Sequence, residues 1–187
     1  MRLERDFYRQ DGISLAKTLL GKIIVHNKDG VITKCRITET EAYMGENDKA
    51  SHAYNNLRSK RTETMFHDGG TAYVYMIYGM YYCMNVVANI NDIPEAVLIR
   101  GAQATEGTDI MKKRRKTDKI KNLCSGPGKL CMAMGIDKTL DDTDMCESEN
   151  FYIYDDGYSG FEIGFGKRIN IDYAQEAIDF EYRFFIK

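Results

Sequence analysis

Two β-rich runs, KIIVHN (22–27) and VITKCRITETEAY (31–43), flank Lys28-Asp29-Gly30, and that junction constrains the fold more than any other feature. Asp-Gly suits the paired positive-φ positions of a tight hairpin turn, so the two runs are expected to lie antiparallel. The pattern repeats: TAYVYMIY (71–78) and YYCMNVVANI (81–90) flank Gly79-Met80 and read as a second, protruding hairpin. AVLIRG (96–101) adds a third short apolar run. The C-terminal third reads as successive short strands in FYIYDD, FEIGF, KRINI and YRFFI.

Helical signals are fewer. ISLAKTLL (13–20) ends at Gly21, and Ser125-Gly-Pro-Gly-Lys opens a helix through Met134 that Gly135 stops. Residues 105–121 predict a helix running into a basic loop that carries Lys112, Lys113, Arg114, Arg115, Lys116, Lys119 and Lys121. With 187 residues and no linker or repeat, one domain over 1–187 is expected. The expected class is α+β: a single compact domain with a mainly antiparallel sheet, flanking helices and a protruding β-hairpin.

Charge and cysteine usage narrow the function. The net charge is −2, but residues 137–156 hold eight acids against Lys138 alone. Removing that −7 leaves +5 on the remainder, which permits an anionic partner on one face. The acidic tract itself reads as a solvated, turn-rich face. Cys35, Cys83, Cys124, Cys131 and Cys146 form no CxxC pair, so reduced thiols and a cytoplasmic location are expected, nucleoid-associated if the source is bacterial. The stretch 69–91 lacks formal charge and is long enough to span a bilayer. Its tyrosines are spread along the whole length instead of forming two belts, which argues for buried strands and no membrane role. His26, His52 and His67 stand alone and the acids lack a calcium-loop spacing, so neither metal nor cofactor is expected.

Two features could carry chemistry. Strand alternation puts Cys35, Ile37, Glu39, Glu41 and Tyr43 on one face, which begins apolar. Carboxylates at i and i+2 on a core-directed face are expensive unless paired or functional, and burial would raise the pKa of a general base. Alternatively, both fan outward and pair with Arg36, Arg100 or a lysine. Spacing leaves both readings open. Secondly, Tyr73 and Tyr75 share a strand face, and Tyr78 lies beside the Gly79 turn, where an aromatic is exposed and able to wedge into a partner. Tyrosine is also an ordinary strand residue, and most of the thirteen are expected to be packing.

ETEAY (39–43), ASHAY (50–54), Arg61…Met65-Phe66, GTAYVYMIYGMYYCMNVV (70–87), AVLIRGAQATEG (96–107) and LCSGPGKLCMAMGID (123–137) together resemble the alkyladenine (3-methyladenine) DNA glycosylase family. The resemblance is collinear from about Leu15 to the C-terminus. It implies a monofunctional base-excision enzyme that flips a damaged purine out of duplex DNA and hydrolyses its N-glycosidic bond. By motif position, Glu41 would activate water against C1′ and Arg100 would help hold that water. Tyr43 would stack on one face of the flipped base, with His52 and Tyr75 on the other. Asn85 would crowd the pocket floor against the amino group of guanine, and Tyr78 would fill the gap left in the duplex. The implied partner is double-stranded DNA containing damaged purines (3-methyladenine, 7-methylguanine, hypoxanthine, ethenoadenine), acted on by a monomer.

One departure bears on the site. Where the family usually shows Pro-Arg-Ile/Val-Gly, this chain has Lys167-Arg168-Ile169-Asn170, a stretch expected to lie near the catalytic water. Two rival functions use the same residues: a non-catalytic reader of damaged or single-stranded DNA, and a nucleoside hydrolase with Glu39 and Glu41 as its carboxylate pair. Steep salt dependence would separate a duplex-DNA enzyme from the latter.

Overall fold

A computed structural model describes residues 1–187. Strand β1 (Ile23–Lys28) returns as β2 (Val31–Tyr43) through Asp29 and Gly30, both at positive φ (56° and 81°), the two-residue turn that Asp-Gly favours. β3 (Ala72–Ile77) and β4 (Tyr81–Ala88) form the second hairpin around Tyr78-Gly79-Met80. With β5 (Glu95–Glu106) and β6 (Phe151–Tyr154) they build a sheet in the order β3-β4-β5-β2-β1-β6, every pairing antiparallel. β7 (Ile163–Gly166) pairs with β8 (Arg183–Ile186), and β8 joins β2 at Glu39–Glu41.

Helix α1 (Arg5–Tyr8) is a single turn. α2 (Gly12–Thr18) is capped by Asp11, whose carboxylate accepts from the Ile13 and Ser14 N–H groups, and it buries Leu15 and Ala16 against the sheet. α4 (Pro127–Met134) starts after Ser125-Gly126, stops at Gly135 (φ 73°) and buries Leu130, Cys131, Ala133 and Met134. These residues join Ile24, Cys35, Ile37, Val86, Val97 and Ile99 in one core, so the α+β reading holds. No helix is long and apolar enough to cross a membrane.

Four local expectations are corrected. β5 runs on to Glu106, so the basic helix α3 occupies only Thr108–Arg115 and ends at Lys116 in the left-handed region (φ 51°). KRINI (167–171) is not a strand: Arg168 turns inward to Asp48 and Asn170 sits at φ 62°, which extended pairing cannot accommodate. The acidic tract is not simply a solvated face. Asp141 accepts the Val74 N–H at 2.8 Å, covering the open edge of β3, while Asp144 pairs with Arg5, Asp155 with Lys22 and Asp156 with Arg36.

The fourth correction concerns β2. Thr33, Cys35 and Ile37 point to the main core, but register shifts around Thr38-Glu39 reverse the parity, and beyond them Thr40 and Ala42 point there instead. The Thr40 hydroxyl donates to the Ala16 carbonyl at 2.8 Å. Glu41 and Tyr43 therefore face away from Ile37, onto the opposite side of the sheet.

Candidate active site

That opposite side holds a cleft of about 420 Å³. Its walls rest on two small apolar clusters separate from the main core. Met65, Phe66, Tyr73, Val87 and Ala96 back one wall, with Tyr75 packed on them. Ala50, Ile171, Ala174 and Ala177 back another, with Tyr43 packed on them. Tyr43, His52, Tyr75, Tyr78, Asn85 and Arg100 all line the cleft, so six of the seven sequence-predicted residues meet there.

The seventh, Glu41, is fully buried (0% exposed) just beneath the cleft. Three of its neighbours line the cleft themselves. The Tyr43 hydroxyl donates to Oε2 at 2.9 Å, the Ile169 backbone N–H donates to Oε1 at 2.9 Å, and Arg100 Nε lies 3.5 Å from Oε1. Burial raises the Glu41 pKa above the usual carboxylate range, opposed by the Arg100 charge and then by the Ile169 and Tyr43 hydrogen bonds. Burial among apolar atoms makes a carboxylate more basic, and directed donors keep it ionised. Arg100 is shared, its Nε lying 3.4 Å from Glu39 Oε1 as well.

The aromatic wall is tightly built. His52 packs edge-on against Tyr75 with ring centroids 4.7 Å apart, and its Nδ1 hydrogen-bonds the Tyr73 hydroxyl at 2.9 Å. Burial and the nearby Arg61 charge push the His52 pKa down to about 4, so its ring is neutral at pH 7. Asn85 is buried and donates from Nδ2 to the Tyr73 carbonyl at 3.1 Å. At the mouth, Tyr78 is 80% exposed and takes φ 51° beside Gly79 at 68°, so the turn directs the ring outward from the sheet. Met76 and Met80 are also exposed on this hairpin.

Several residues were given no individual role from the sequence, although Arg168 and Ile169 lie in the stretch expected near the catalytic water. Arg168 is buried behind Tyr43, its guanidinium carbon 4.8 Å from the Tyr43 ring centroid, and pairs with Asp48 at Oδ1 (2.8 Å) and Oδ2 (2.5 Å). This pair fixes the segment that presents Ile169. Nothing in local spacing connects positions 120 apart. Arg61 lies 5.6 Å from the Tyr75 ring centroid and forms no ion pair with a carboxylate. Tyr173 and Ile169 complete the rim. No group of three or more His, Cys, Asp or Glu is placed to hold a metal.

Comparison of the sequence with known proteins identifies a family. A family model for methylpurine-DNA glycosylase matches residues 6–187. The chain is 49% identical over 197 residues to a Clostridium perfringens (strain 13 / Type A) protein, covering 100% of this chain and 96% of the relative. It is 49% identical over 195 residues to an Alkaliphilus oremlandii protein and 47% over 195 residues to one from Clostridium beijerinckii, with the same coverage. Each relative bears the provisional name 3-methyladenine DNA glycosylase.

Proposed function

The chain belongs to the methylpurine-DNA glycosylase family of N-glycosyl hydrolases acting on DNA, and from that premise we propose that Glu41 is its general base. The observation that carries this reading is the placement of Glu41: buried, but hydrogen-bonded to two groups that line the cleft and ion-paired with a third. A protein that only binds DNA gains nothing from a desolvated carboxylate at the foot of its cleft.

In this reading the damaged nucleotide leaves the duplex, because a base inside the stack is out of reach, and enters the aromatic cleft. Tyr43 stacks on one face of the purine and His52 with Tyr75 on the other. Asn85 excludes the extra amino group of guanine. Tyr78 enters the minor groove and replaces the lost stacking. Glu41 takes a proton from water as the water oxygen bonds to C1′. The C1′–N9 bond breaks, its electron pair leaves with the purine, and an abasic site remains. Arg100 orients the water. A carboxylate base typically contributes about 10²–10⁴-fold.

Alkylation at N3 or N7 gives the purine a positive charge and makes it a better leaving group. Such a cation stacks favourably on tyrosine faces. The neutral His52 ring adds no opposing charge. Base release from duplex DNA bearing 7-methylguanine or 3-methyladenine, measured beside the same reaction on free nucleosides, tests the reading. Turnover confined to the duplex supports it, and equal turnover of nucleosides overturns it.

A further inference from the structure

We propose that Glu39 is a positioning residue, held between Arg100 and Arg183, that sets how Arg100 is shared with Glu41 and anchors the loop delivering the Ile169 N–H. The inference rests on Glu41 being the base. Arg100 Nε stands nearly midway between two carboxylates, 3.4 Å from Glu39 Oε1 and 3.5 Å from Glu41 Oε1. The same Glu39 oxygen accepts from Arg183 Nη1 at 2.9 Å, and Arg183 Nε donates to the Lys167 carbonyl at 2.9 Å. Lys167 begins the segment whose Ile169 N–H reaches Glu41. Glu39 thus reaches Glu41 by two routes, one through Arg100 and one through Arg183 and the backbone.

The backbone is shaped for this. Glu39 sits between two of the three register shifts of β2, opposite Gly101 on β5 and Phe185 on β8. A Cβ added at Gly101 would lie 3.3 Å from Glu39 Oε2, so glycine there leaves room for the carboxylate. Glu39, Arg100 and Arg183 side chains retain 27%, 15% and 26% exposure, and a partly exposed network of this kind adds little to stability. Its value lies in geometry.

The charges around Glu41 give the effect a sign. Facing it are Tyr43 from β2, Cys83 from β4, Arg100 from β5, and Arg168 and Tyr173 from the segment after β7. Glu39 itself faces Arg100 and Arg183. Glu39→Gln removes a like charge and releases Arg100 to Glu41, which favours ionised Glu41, while the amide oxygen still accepts from Arg183 and keeps the Ile169 donor in place. Removing the Arg183 charge leaves Glu39 competing for Arg100 and loosens the Ile169 donor, which disfavours it.

The test is the pH dependence of 7-methylguanine release in single-turnover reactions with excess enzyme. This base is already cationic, so the acid limb reports on the catalytic base and not on leaving-group protonation. Glu39→Gln should move the acid limb to lower pH by roughly half to one unit and lower the plateau rate, and Arg183→Gln should move it up. If Glu39→Gln does not fold, the direction of the Arg183→Gln shift decides alone. An unmoved limb, or a downward shift in Arg183→Gln, overturns the proposal. Glu41→Gln run in parallel separates the two levels: continued release by that variant overturns the general-base reading and this inference with it.

Discussion

The Ile169 backbone N–H donates to Oε1 of Glu41 across 2.9 Å, joining a loop and a strand 128 positions apart. A backbone donor has no rotamer freedom of its own, so the orientation of Glu41 depends on whatever fixes the loop. Arg183 holds the loop's start through the Lys167 carbonyl, and Arg168 holds it from within, clamped by Asp48 on one side and lying against the Tyr43 and Tyr182 rings.

Removing Asp48 should therefore be costly twice over. Asp48→Ala leaves the Arg168 charge buried without its partner and also removes the acceptor for the Met44 and Ala50 N–H groups. A loss of about 3–5 kcal/mol is expected, read as a lowered urea midpoint, with base release impaired even where the protein stays folded.

Asn170 takes φ 62°, a conformation that glycine and asparagine adopt more readily than other residues. Asn170→Gly should keep full base release. Asn170→Val should cost about 1–3 kcal/mol of stability and slow base release, because a β-branched residue strains this turn beside Ile169. Equal behaviour of the two variants would contradict this account of the Lys167–Asn170 departure.

Tyr78 is exposed and touches no core, so Tyr78→Ala should leave the unfolding midpoint within about 0.5 kcal/mol of the parent. Its affinity for lesion-bearing duplex should fall by about 1–3 kcal/mol, the usual worth of an aromatic stacked on a base. Titration of a fluorescent lesion duplex measures this. Undiminished binding would remove Tyr78 from the DNA contact.

His52 gives a pH signature of stability. Its folded pKa of about 4 lies below the ordinary 6.5, so the neutral form is favoured in the folded state. The stability this supplies is present above pH 6.5 and is lost as the pH falls toward about 4. Thermal melts of the parent should fall over that window more steeply than those of His52→Gln. Parallel curves would place the imidazole in a wetter setting.

Much of this was legible where the determinants are local. Asp29-Gly30 named its turn, Gly135 its helix stop, and the Tyr78-Gly79 tip its exposure, because each depends on φ preferences of one or two residues. The parity reversal at Thr38-Glu39 was not legible, since a register shift is set by β5 and β8 and not by β2 alone. Alternation along KRINI imitates a strand, but Arg168 is drawn inward by Asp48, far away in sequence. The cleft residues were found through motif resemblance. Their bonding, including the Arg100 shared by Glu39 and Glu41, needed the fold.

The central claim is that Glu41 activates the water. The most direct measurement is single-turnover base release by Glu41→Gln on duplex DNA carrying 7-methylguanine, with binding to the same duplex measured in parallel. The amide keeps the shape and can still accept from Ile169, so folding and lesion binding should persist. Release should fall by about 10²–10⁴-fold. A variant that binds the lesion and still releases the base at the parental rate would contradict the account.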